Sequence, residues 1–119
     1  LVKERVWIDL AHSSDRAQRE IVEVLDRVGQ PTLVTHTKLR EIAKNERSVP
    51  NFTLDRVRST GGIVGLIPTD DMTMALGETS GLAESCRRGI RAFAAEWKRT
   101  AELAGGMEAV TLGSDFNAP

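Results

Sequence analysis

The stretch TLVTHTKLR (residues 32–40) puts His36 directly after a short apolar run. The sequence has only 2 histidines, and the other, His12, stands in the same setting in VWIDLAHSS (residues 6–14). A continuous apolar run without strict alternation is the pattern of a strand buried on both faces of a parallel sheet. Similar runs recur along the chain: RVWIDL (5–10), TLVTH (32–36), GGIVGLIP (61–68) and AVTLGSDF (109–116). Each is rich in β-branched residues, and each is predicted to be a strand.

Helix signals lie between them. In residues 14–28, Ala17, Ile21, Val24, Leu25 and Val28 share one helical face, Ser13 or Ser14 caps the start, and Gly29 and Pro31 end it. A second helix is predicted over 53–60, with Thr53 as N-cap, Phe52 packing on Val57, and Gly61 closing it. A third should run from about Gly81 to Ala104, burying Leu82, Cys86, Ile90, Phe93 and Trp97. Gly89 within that stripe predicts a close helix–sheet approach. Trp7 and Trp97 are expected to pack against neighbouring elements. The order β-α-β-α-β-α-β gives a parallel sheet with crossover helices, in either a doubly wound open sheet or a β/α barrel. A full barrel needs eight strands and about 250 residues, so a chain of 119 could supply half of one.

Composition narrows the function classes. The chain is 40% hydrophobic and 28% charged, with a net charge of −1, as in ordinary globular proteins. No basic cluster interleaved with aromatics points to nucleic acid. No apolar run approaches the roughly 18 residues of a membrane span. A lone cysteine, Cys86, excludes an intrachain disulfide and a cysteine-rich zinc module. The chain begins at Leu1 and stops just after GSDFNAP, so it reads as a piece of a longer protein.

Parallel α/β folds place their chemistry at the carboxyl ends of strands. There the sequence sets His12, His36 and Asp115, with Asp70 and Asp71 beyond Pro68 at the start of the irregular stretch TDDMTMALGETSG (69–81). Adjacent parallel strands lie about 4.8 Å apart, so imidazoles from two of them can meet at one ion with Zn–N distances of about 2.0–2.1 Å. Asp115 is a third ligand, a proton-transfer group, or a loop-capping aspartate; Asp70 and Asp71 read as solvated turn residues. Arg47, in NERSVPN (45–51), is either a surface arginine or a guanidinium fork for a substrate carboxylate.

Together these motifs carry a resemblance. IDLAH, then THT, ERSVPN, GGIVG and finally LGSDFN resemble, in order, the C-terminal half of the membrane (renal-type) dipeptidase family of zinc metallopeptidases. The family's pattern runs DL-S/A-H, SHS, an R-N-x-P-D turn, a GG-initiated strand and G-S/G-DFDG. The resemblance implies the C-terminal half of a TIM-type β/α barrel and a site for two zinc ions. His12 and His36 would be ligands of the same zinc, Arg47 would bind the carboxylate of a dipeptide-like substrate, and Asp115 would shuttle the proton of the bridging water. Two close cations acidify such a water and polarise the scissile carbonyl, and a nearby carboxylate takes and returns the proton. The sequence departs from the pattern at Ser48, Asn51 and Asn117, which bears on a plain dipeptide substrate more than on the metal site. The family's H-x-D pair and bridging glutamate do not precede His12, so the segment alone is expected to be inactive.

The expected substrate is a small peptide or amide; a homodimer and the compartment, cytoplasmic or surface, stay open. Two alternatives stand beside this reading. One is another metal-dependent barrel amidohydrolase, with a bridging lysine and an aspartate ligand on its last strand. The other is a non-catalytic barrel-derived binding domain.

Overall fold

A computed structural model describes residues 2–4, 6–68 and 90–115. Its architecture is mixed α/β around a small parallel sheet. After a 3-10 turn at Val2–Glu4, the elements are α1 (Asp15–Val28), β1 (Leu33–Thr37), α2 (Arg40–Ala43), α3 (Asn51–Thr60), β2 (Ile63–Leu66), α4 (Ile90–Ala104) and β3 (Val110–Leu112). The sheet order is β1-β2-β3, with both pairs parallel. Leu10, Val34, Val64 and Leu66 meet Leu54, Val57 and the small residues of α4 in the core.

The first predicted strand is reduced to one parallel bridge, Asp9 to Leu33, with the Leu10 N–H donating to the Leu33 carbonyl at 3.0 Å. The cause lies in a side chain. The Thr35 N–H, which would carry the ladder onward, donates instead to Asp9 Oδ1 at 2.9 Å. Trp7, expected to be packed, is 58% exposed on this segment.

Within β1 the register slips. Val34 pairs with Val64 but Thr37 pairs with Leu66, so Thr35 and His36 together oppose Gly65. That is a bulge, the device by which strands re-aim side chains beside functional sites.

The helices follow the sequence with corrections. Ser14 caps α1, its Oγ accepting from the Ala17 N–H, and Gly29 closes the helix in the left-handed conformation. The buried face is Gln18, Val22 and Leu25, while Val24 and Val28 are exposed. For α3 the N-cap is Pro50; Thr53 is buried inside the helix and donates to Gln18 Oε1 at 2.6 Å. Phe52 carries the Arg19 guanidinium over its ring at 3.8 Å. In α4 the stripe differs most. Ile90 is 78% exposed, Phe93 and Trp97 are half-buried in an edge-on contact, and the buried positions are Ala92, Glu96, Thr100, Ala101 and Ala104. Small residues let α4 approach closely, and Glu96 is held inside by Lys38 at 3.0 Å. Leu82, Cys86, Gly89, Asp70 and Asp71 lie outside the described residues.

Candidate metal centre

Three chain segments converge beyond the carboxyl end of β1. The Asp9 segment, bridged to β1, delivers His12 on the turn before α1. The bulge delivers His36, and the chain leaving β3 delivers Asp115. Their donor atoms, two imidazole nitrogens and a carboxylate oxygen, all lie within 4.8 Å of one another. His12 Nε2 is 2.7 Å from His36 Nε2, and His36 Nε2 is 3.8 Å from Asp115 Oδ1. His12 and Asp115 both have positive φ, 61° and 52°. Such conformations are uncommon without glycine and concentrate at functional sites.

β3 neighbours β2, not β1, so Asp115 comes near His36 across the intervening strand at Gly65. Gly65 has no side chain to hold β3's continuation off, and the Gly113 Cα lies 3.2 Å from where a Gly65 Cβ would stand. A Cβ on Gly113 itself would fall 2.1 Å from the Thr35 carbonyl oxygen and 2.8 Å from the His36 Cα. The chain after β3 thus crosses Gly65 to lie directly on the bulge.

Arg47 joins the cluster from another side. Its guanidinium donates to His12 Nδ1, with Nη2 at 2.9 Å and Nε at 3.3 Å. Its turn is held by Arg40, which donates to the Ser48 carbonyl from both Nε (2.9 Å) and Nη2 (2.7 Å), to the Glu46 carbonyl at 2.7 Å, and to Asp15 Oδ2 at 2.6 Å. The buried Ser48 donates to Asn45 Oδ1 through its backbone at 3.1 Å and its hydroxyl at 3.2 Å. Ser48 is therefore part of the turn's own bonding. Asn51 donates to Glu41 Oε1 at 2.9 Å.

Two residues that the sequence did not single out complete the surroundings. Asp9 Oδ1 accepts from the backbone N–H groups of Ala11 (3.0 Å) and Thr35 (2.9 Å), and Asp9 Oδ2 accepts from the Thr35 hydroxyl in a short bond. Thr35 Oγ1 is in turn 2.9 Å from His36 Nδ1. Partial burial pushes the Asp9 carboxyl up, but the Thr35 hydroxyl, the two N–H groups and the His36 ring outweigh it, leaving it below the usual range. The available signal was a carboxylate inside the apolar run of IDLAH.

The donor set suits a borderline divalent cation such as zinc, which takes imidazole nitrogen and carboxylate oxygen together. Two imidazole lone pairs cannot face each other at 2.7 Å without a proton or a cation between them. Tetrahedral zinc would set the two nitrogens about 3.3 Å apart, a small opening from the distance observed. Lys38, by contrast, turns its ammonium into the core against Glu96.

The family model described as membrane dipeptidase (peptidase family M19) matches residues 2–119. No curated protein and no solved structure matches the chain at a significant level.

Proposed function

The chain belongs to the membrane dipeptidase family, and from that premise we propose that it forms the C-terminal half of the β/α barrel of a zinc-dependent hydrolase of small peptides or amides. The observation that carries this is the convergence of His12, His36 and Asp115 within 4.8 Å, with the Arg47 guanidinium 2.9 Å from His12. The exposed apolar side chains of Val6, Trp7, Val24 and Val28 favour burial against further barrel elements, and the segment alone is inactive on this reading.

His12 and His36 would hold one cation, through the Nε2 atoms that face each other. When bound, the metal would supply an acidified water and a polarised carbonyl. Asp115, more than half exposed beside His36, accepts the proton of the attacking water and returns it to the leaving amine. As a metal ligand through Nε2, His12 would carry its proton on Nδ1, which would turn that atom from acceptor to donor and free Arg47. The freed guanidinium then takes the substrate's carboxylate through two parallel hydrogen bonds.

The test uses the intact protein with dipeptides and their carboxyl-capped counterparts. Arg47→Met should raise KM for the free-carboxylate substrates by about 10- to 100-fold, the loss of a charge-assisted bond, and leave the capped ones nearly unchanged. An equal effect on both sets contradicts the assignment.

A further inference from the structure

Building on the reading of His36 as a metal ligand, we propose that Asp9 and Thr35 are its positioning residues. The Asp9 carboxylate, acting through the Thr35 hydroxyl, fixes the proton of the His36 ring on Nδ1 and presents a bare Nε2 to the metal.

The direction of each hydrogen bond follows from counting protons. An ionised carboxylate only accepts, and Asp9 already takes two backbone N–H groups on Oδ1. The Thr35 hydroxyl, in close contact with Asp9 Oδ2, therefore donates its one proton there. What remains on Thr35 Oγ1 is lone-pair density, and His36 Nδ1 faces it at 2.9 Å. Nδ1 must then carry hydrogen. A neutral imidazole has one N–H, so Nε2 is left with its lone pair aimed at His12 and Asp115.

The bulge makes the relay geometrically possible. Consecutive strand residues normally point to opposite faces, but Thr35 and His36 share the space opposite Gly65, and their side chains meet. The same carboxylate restrains the other histidine's segment, because Asp9 Oδ1 also accepts from Ala11, the residue before His12. One side chain thus ties both histidine-bearing segments together and sets the tautomer of one ring. Ligating histidines generally depend on such outer partners, whose loss costs about 10- to 100-fold in metal affinity.

Zinc affinity of the intact protein, measured by competition with a chromophoric chelator, tests the relay, with thermal unfolding as the check on folding. Thr35→Val, which keeps the shape and deletes the hydroxyl, should weaken zinc about 10- to 100-fold, while Thr35→Ser stays within about threefold of the parent. His36→Ala is the control: if it leaves zinc affinity unchanged, the ligand reading itself fails. If His36→Ala weakens zinc but a folded Thr35→Val stays within about twofold, the positioning role is overturned and the ligand reading stands. Ring 15N shifts of His36 give a second readout that a structural role would not move. In Asp9→Asn the amide can donate to Thr35 Oγ1, reversing the hydroxyl and shifting the His36 proton from Nδ1 toward Nε2. An unchanged tautomer in Asp9→Asn overturns the proposal even if Thr35→Val does not fold.

Discussion

Replacing Lys38 by methionine perturbs the one ion pair in the described residues whose two side chains are both fully enclosed. Lys38 Nζ and Glu96 Oε2 are 3.0 Å apart, and Glu96 Oε1 accepts the Leu39 N–H at 2.8 Å. At an effective dielectric of about 20, charges this close attract by about 5–6 kcal/mol, much of it offset by the cost of removing both from water. Lys38→Met leaves the carboxylate enclosed with only the Leu39 N–H and should cost about 3–5 kcal/mol near neutral pH. Burial already holds the Glu96 carboxyl above its ordinary value of 4.5, opposed by the Leu39 N–H and Lys38. Without the ammonium it rises further. A carboxyl raised in the folded state contributes stability below its unfolded value and loses it as pH rises through the folded one. The deficit of Lys38→Met should therefore be largest at neutral pH and shrink as pH falls toward 4.5. The double variant Lys38→Met/Glu96→Gln, which keeps an acceptor for Leu39, should return to within about 1–2 kcal/mol of the parent. Urea unfolding of the intact protein, followed by tryptophan fluorescence at several pH values, reads all three. A single-variant deficit under about 1 kcal/mol, or one that does not change with pH, would refute the reasoning.

Gly113→Ala should weaken metal binding and destabilise by about 1–3 kcal/mol, because its Cβ would meet the Thr35 oxygen at 2.1 Å and lift Asp115 away from His36. Gly29→Ala is the contrasting control: with nothing within 4 Å but a left-handed φ, it should cost about 1 kcal/mol and leave metal affinity alone. Metal affinities that fall equally in both would contradict the close-approach explanation. On acidification, the bonds from Arg40 hold Asp15 below 3.8 and those from Arg99 hold Glu41 below 4.5. Carboxyls lowered in this way stabilise the fold above their ordinary values and lose that contribution as pH falls through the folded ones. Arg99→Met should accordingly give a shallower fall in Tm below about pH 4.5, and an unchanged slope would count against the Glu41 pairing.

Much of the architecture was legible because hydrophobic periodicity and caps are local. Ser14 and Gly29 bound α1 as their chemistry requires, and the apolar runs around Val34, Val64 and Val110 became the parallel strands. Three of the failures share a cause, a side chain whose partner is distant in sequence. Asp9 takes the Thr35 N–H and shortens the first strand to a bridge. Glu96, which has no place in an apolar stripe, is enclosed because Lys38 reaches it across the fold. Thr53, a good cap by type, is drawn inside by Gln18. At the site, motif order singled out His12, His36, Asp115 and Arg47, and these four side chains lie together. Thr35 was not legible, because a register slip in β1 has no signature in residue type, and Asp9 showed only as a carboxylate inside an apolar run.

The most direct measurement is the metal content of the intact protein beside that of His36→Ala, taken by elemental analysis after identical purification. A bound divalent ion in the parent, lost together with peptide hydrolysis in a folded His36→Ala, is the predicted result. Equal metal content in the two proteins would contradict the assignment of His36 to the metal centre.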